Sequence, residues 1–391
     1  MTEEYSLPAA VVEHLAAAHA GAVRGGVADE TRREDETGRP FRQFGFGEHA
    51  LLFIDEAHAH LEAILEILAQ SALAHGGFEA DALAGHVAKA CRLATAAEAT
   101  EYLSGVIAAP LAEYTFGEPL RVIHPKGGPH PLGRCLVHES LIHAAPNDPP
   151  DVLEEWHGKD FPARVIMATV NARDEDSAYI RAVDAIDEAK AILFLSTDHD
   201  RGRRRMSSLR LEDGRIRSTT TGGQGFGHYY SPHMLVYPPI SHVSTAASKA
   251  PEERTPWEQR VIAATRWYYQ AGTTTWPSAA LTAAMTALEA LLLPPGLKGK
   301  GGRLAGTLRD LGAGHLGPGA VKFTTWFVDV YDHRNDATHQ GVNYDEDLDV
   351  RRLLGITKLA IQWGAHHLDP HHDRIGGGQC TSLDEALAQH H

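Results

Sequence analysis

The feature that most limits what this chain can fold into is the helix punctuation of its last third. "TPWE" reads as a helix start, with Thr255 as N-cap, Pro256 at the first helical position and Glu258 closing a capping box. Trp257, Val261, Ala264 and Tyr268 then form an apolar stripe that Gly272 ends. "PSAALTAAMTALEALLLPP" is a second helix, with Leu281, Met285, Leu288 and Leu292 inward and Pro294-Pro295 as its stop. "GRLAGTLRDLGAG" makes a shorter third. "AVKFTTWFVDVYDHRNDATHQG" is a fourth, with Phe323, Trp326, Phe327, Val330 and Tyr331 on its apolar face, and "NYDEDLDVRRLLGITKLAIQWGAHHL" is a fifth. These segments predict an all-α helical bundle over 251–370, followed by a loose Gly- and His-rich tail, 371–391.

Upstream the pattern is mixed. "EHALLFIDEAHAHLEAILEILAQSALAHGG" carries Leu52, Ala57, Leu61, Ile64, Leu65 and Leu68 at helical spacing and stops at Gly76-Gly77. "FEADALAGHVAKACRLATAAEATEYLSGVIAAP" predicts a second helical stretch. "PLRVIHPKGGPHPLGRCLV" predicts short strands and turns, and "APNDPPD" a break. "ARVIMATVNA" then reads as a strand leading into a helix whose inner face carries Ala182, Ile186, Ala189 and Leu193. "SLRLEDGRIRSTTT" predicts a hairpin around Asp213-Gly214. "GGQGFGHYY" misses the dinucleotide-binding spacing and reads as a flexible loop, and "SKAPEERTP" as a linker. The expected architecture is therefore an α+β N-terminal region followed by the bundle. Residues 1–150 are helical and then short-stranded; residues 151–250 form an α/β partner domain that could share one unit with them.

A chain of 391 residues has room for two or three domains with real cores. Its formal net charge of −15 argues against a sequence-independent nucleic-acid coat, because phosphates would be repelled at long range. Local basic clusters remain: "DRGRRRMSSLR" (Arg201, Arg203, Arg204, Arg205, Arg210) and "GLKGKGGR" (Lys298, Lys300, Arg303). Either is a solvated charged loop or a confined anion site. The three cysteines form no CxxC pair, which argues against a disulfide framework and a thiolate zinc site. With no leader-like N-terminus and no run of about 18 apolar residues, a cytoplasmic protein without a membrane partner is expected.

Several chemistries can be weighed directly. "HESLIH" (His138, Glu139, His143) has one residue too many for a zincin helix, since five residues put the two histidines about 140° apart. "HHLDPHHD" (His366, His367, Asp369, His371, His372, Asp373) has metal-ligand types in a tail position, and would serve a metal-dependent hydrolase. No GxSxG or P-loop pattern occurs. "YDHRNDATHQG" pairs Arg334 with His339. With 27 arginines and 25 histidines, such a spacing arises by chance about 1.7 times, so context must carry it. Asn335 follows the arginine directly. Arg334 continues the face of Phe323, Phe327, Val330 and Tyr331, where a cation is costly unless an anion or partner meets it. Gly341 stands where the helix would end and present His339.

On these residues the last third resembles the HEPN family of helical-bundle ribonucleases, whose signature is Arg, a polar residue, a short gap and His. "TALEALLLPP" is similar to a Leu-Glu-x-Leu-Leu segment of the ApeA-like branch, linked to bacterial abortive infection, and "ATVNARDEDSAYIRAVDAIDEAKAILFL" to that branch's partner domain. The resemblance covers 255–368 and, more weakly, 160–240. It implies Arg334 and His339 as catalytic residues, Asn335 as the polar residue and Glu289 as a helper.

It also implies a metal-independent endoribonuclease toxin or phage-defence effector, without cofactor, acting on RNA (tRNA being one candidate) as a homodimer formed through the bundle. RNA brings its own nucleophile, the 2′-hydroxyl. His339 suits acid-base work near neutral pH and Arg334 suits phosphate. Lys298, Lys300 and Arg303 are the expected RNA-binding residues. The alternative is an inert bundle serving binding or oligomerisation. On one regular helix Arg334 and His339 diverge by about 140°, so the chemistry expects either a distortion near Asn335-Asp336 or a second subunit.

Overall fold

Local chemistry sets the element boundaries in the computed structural model, which describes residues 7–21, 41–44, 51–70, 76–120, 129–138, 147, 164–195, 203–212, 215–226, 238–274, 276–293, 300–313, 318, 322–340 and 347–366. The chain opens with α1 (Ala9–Gly21), a β1–β2 hairpin (Phe41–Phe44, Leu51–Ile54) and α2 (Asp55–Gln70). The pairing is antiparallel, with Phe41 opposite Ile54. This corrects the single helix expected from residue 48. Four consecutive bulky apolar residues, "LLFI", favour a strand, and an acidic residue suits the first turn that follows.

The next stretch is two helices, α3 (Ala80–Cys91) and α4 (Ala96–Ala108), because Thr95 starts a new one. Its hydroxyl accepts from the Glu98 amide at 3.1 Å, and the Glu98 carboxylate accepts from the Thr95 amide at 3.2 Å.

Strands β3 (Ala112–Leu120), β4 (His130–Leu132), β5 (Cys135–His138) and β6 (Arg164–Ala172) precede α5 (Glu175–Phe194); β7 (Arg203–Glu212), β8 (Arg215–Phe226) and α6 (Pro238–Ala247) follow it. Apart from the β1–β2 pair, the strands form a sheet in the order β4-β5-β6-β3-β7-β8. In the β7–β8 pair Glu212 stands opposite Arg215, and Asp213-Gly214, the expected turn, lie outside the described residues. The far end of the pair corrects the flexible loop expected for "GGQGFGHYY": Gly222–Phe226 continue β8, with Gln224–Phe226 opposite Arg203–Arg205. The irregularity between Arg205 and Ser207 places the Gly222-Gly223 pair where β8 carries one residue more than β7, a use of glycine typical of bulges.

The bundle helices follow as predicted: α7 (Pro256–Thr273), α8 (Pro277–Leu292), α9 (Lys300–Asp310), α10 (Phe323–Gln340) and α11 (Asp347–His366). Thr255 caps α7 through the expected box with Glu258. Val261, Leu281, Met285, Leu288, Phe323, Phe327 and Leu353 are fully buried. Residues 248–256 are not a slack linker. Pro251–Glu253 form a 3-10 turn, and the buried Arg254 donates to Glu188 of α5 through both terminal guanidinium nitrogens, at 2.7 and 3.0 Å.

Two compact units emerge, Met1–Thr115 with Thr169–Val183 and Phe116–Ala168 with Asp184–His391. The division falls within β3, β6 and α5. Leu15, Leu61, Ile64, Val87 and Leu103 centre the first core. The bundle belongs to the second unit together with β4, β5 and the β7–β8 hairpin. Among the described residues no helix is long and apolar enough to cross a membrane.

Candidate functional site

Arg334 lies on α10 at the end of a stripe that the sequence dictates. Phe323, Phe327, Val330 and Tyr331 are buried at helical spacing, and Arg334 follows with its side chain 17% exposed. A guanidinium this enclosed needs anionic or acceptor partners. Glu289 of α8 supplies one, its Oε1 standing 3.4 Å from Nη2. Asn335 supplies another, accepting from Nη1 at 3.1 Å through Oδ1. The Tyr331 ring lies under the guanidinium, 5.7 Å from centroid to Cζ. Nε is buried and has no hydrogen-bond partner.

Glu289 is the hub. Tyr331 donates to Oε1 at 2.9 Å and Lys300 of α9 donates to Oε2 at 2.5 Å. Burial, then hydrogen bonding and charge from Glu289, push the Tyr331 phenol up to about 12, so it remains a donor at neutral pH. The α9 backbone comes close here because residue 301 is glycine: a Cβ would meet Tyr331 Cδ1 at 2.9 Å. One carboxylate thus meets two cations in a chain whose formal charge is −15. The arrangement can hold an anionic group through a guanidinium whose orientation is already set.

His339 is not part of this cluster. The helix runs unbroken from Phe323 to Gln340, so the distortion expected near Asn335-Asp336 is absent. His339 stands exposed one and a half turns on, about 140° round the axis and about 7.5 Å along it. Its chain neighbour Thr338 donates through Oγ1 to the carbonyl of Arg334, one turn back, at 2.8 Å. Thr338 also closes one side of a groove of about 530 Å³ whose other walls include Trp267, Gln270, Ser278 and Thr282.

The remaining expected residues divide. Lys300 joins the hub, Arg303 is exposed on the same helix, and Lys298 lies outside the described residues. Gly341 lies outside them as well. Arg203, Arg204, Arg205 and Arg210 belong to β7, and Arg201 falls outside. His138 ends β5 and His366 ends α11; the rest of both histidine motifs, and the tail, fall outside the described residues.

Two constellations escaped the sequence reading. In the second unit Arg134, Asp184, Glu188, Arg254 and Arg266 form a connected ion network around α5. Burial alone would raise Asp184, but the guanidiniums of Arg266 and Arg134 hold its carboxyl below the usual value. Its sequence signal is a carboxylate, Glu188, set inside an alanine-rich buried stripe. In the first unit His86, Asp174 and Asp176 bring three ligand atoms within 4.8 Å of one another. Residues 88 positions apart leave no local signal.

No family model, curated protein or solved structure matches this chain.

Proposed function

We propose that the chain is a metal-independent endoribonuclease of the HEPN type, acting as a toxin or phage-defence effector. The observation that carries this reading is the Arg334 guanidinium, oriented by Asn335, Glu289 and Tyr331 while its buried Nε stays unpartnered. A cation held in one orientation and still partly exposed suits a phosphate whose charge grows during reaction. In the proposed reaction the RNA 2′-oxygen bonds to phosphorus, the P–O5′ bond breaks, and a 2′,3′-cyclic phosphate and a 5′-hydroxyl result. His339 takes the proton from the 2′-hydroxyl or returns one to the departing O5′. Lys300 adds positive charge beside the scissile group, and Arg303 guides the strand from the surface of the same helix.

Because α10 runs unbroken, one chain does not aim Arg334 and His339 at the same phosphate. The reading therefore requires a homodimer through the bundle, in which His339 of one copy serves the Arg334 of the other. The same unbroken course favours a second reading, an inert bundle used for binding or assembly, in which Glu289 and Arg334 simply neutralise each other. The two separate on His339→Ala. His339 is exposed, so the variant should melt close to wild type. On the nuclease reading it loses at least about 100-fold in RNA cleavage, the scale of one acid-base group. Breakdown of labelled RNA in EDTA that is equal with both proteins and no greater than in a protein-free control would leave the inert-module reading.

A further inference from the structure

The first unit places three metal-ligand types around one point. His86 lies on α3, Asp174 caps the start of α5 by accepting from the Ser177 amide at 2.8 Å, and Asp176 sits in the first turn of α5. Their frame is stitched together. The Arg173 amide donates to the Gly77 carbonyl at 3.1 Å, the Glu79 amide to Ser177 Oγ at 2.9 Å, and Arg181 to Glu79 at 2.6 Å. His86 Nε2 and Asp174 Oδ2 are both buried without a hydrogen-bond partner, which is costly for either atom. Nε2 stands 3.5 Å from Asp174 Oδ1, longer than a good hydrogen bond. It is close to the edge between two ligands of a tetrahedral zinc site, about 3.3 Å from bond lengths of about 2.0–2.1 Å.

The other face of the imidazole fits the same purpose. His86 Nδ1 lies 2.8 Å from Tyr102 Oη, so Nδ1–H donating to the phenol leaves the Nε2 lone pair facing the carboxylates. Metal-bound histidines are oriented by such an outer hydrogen bond. The nearby cations are engaged elsewhere: Lys89 Nζ sits 5.3 Å over the Tyr102 ring, and Arg173 donates to the Ile107 and Ala109 carbonyls.

We propose that His86 Nε2, Asp174 and the exposed Asp176 bind a divalent transition-metal ion, zinc foremost, with water completing the shell. One imidazole and two carboxylates suit zinc or manganese better than calcium. The ion ties α3 to the start of α5 and stabilises the first unit; it takes no part in the RNA chemistry proposed above.

The test uses full-length protein stripped with chelator and titrated with ZnCl2, counting bound ions after dialysis and following thermal unfolding. The chain has 25 histidines, so the readout is a difference against Asp176→Asn and His86→Gln. Asp176→Asn alters an exposed side chain and should melt like wild type without metal, which separates metal loss from misfolding. Wild type should hold one more zinc per chain than Asp176→Asn at micromolar free zinc, and the zinc-induced rise in melting temperature should vanish in the variant. His86→Gln should behave the same way. Equal zinc stoichiometry and equal melting shifts in wild type and Asp176→Asn would overturn the proposal and leave His86 and Asp174 as an ion pair at a helix start.

Discussion

Glu289 shows how much can rest on one carboxylate. It accepts from Tyr331 and Lys300 and faces Arg334 while only 13% exposed, so removing it strands three donors at once. Glu289→Ala should cost about 1–3 kcal/mol in urea unfolding. Glu289→Gln, which keeps a carbonyl acceptor for Tyr331, should cost less. The phenol gives a pH signature. The Tyr331 value in the folded chain is about 12 against 10.0 for an ordinary tyrosine, so the folded state holds its proton where the unfolded state has released it. The associated stability is intact below pH 10 and is lost as pH rises towards 12. Tyr331→Phe should flatten part of that alkaline slope in melts taken between pH 9 and 12. At this scale Arg334 was legible, because a cation on a stripe of Phe323, Phe327 and Val330 demands a partner. The partner's position was less so, since Glu289 is 45 residues away, and His86 with Asp174 was invisible for the same reason.

Among the elements, α9 offers a matched pair of adjacent glycines. A Cβ at Gly301 would press on Tyr331 at 2.9 Å, whereas one at Gly302 meets nothing within 4 Å. Gly302→Ala should stabilise by about 0.5–1 kcal/mol through helix propensity. Gly301→Ala should destabilise by about 1–2 kcal/mol, overpacking outweighing the same gain. Chemical denaturation of the two variants side by side checks both signs. Element boundaries were legible where side chains act locally, as with Thr255, Pro256 and Glu258 on α7. They were missed where pairing across the chain decides, as when Leu51–Ile54 pair with β1 and Gly222–Phe226 extend β8. The Thr95–Glu98 box was local and readable, yet hidden inside an alanine-rich run. Helix α10 was predicted with its inner face correct, and its unbroken course is what sends Arg334 and His339 apart.

In the molecule as a whole, a cut near residue 250 looked natural because "SKAPEERTP" has linker composition. Arg254 within it instead neutralises Glu188, a carboxylate 2% exposed, so that segment is anchored to α5. Arg254→Ala should lower stability by about 1–3 kcal/mol, because it removes the two short hydrogen bonds to Glu188 while Arg134 and Arg266 still face that carboxylate at 3.7 and 3.9 Å. Calorimetry should show the loss in the transition of the second unit. The central claim is that the Arg334 cluster and His339 together cleave RNA by using its own 2′-hydroxyl. The most direct measurement is the chemistry of the product ends, mapped on a single RNA after cleavage by the full-length protein. In the proposed mechanism the products carry 2′,3′-cyclic phosphate and 5′-hydroxyl termini, and both are lost with His339→Ala. Products ending in 3′-hydroxyl and 5′-phosphate would contradict it, because those ends require water, not the RNA, to attack.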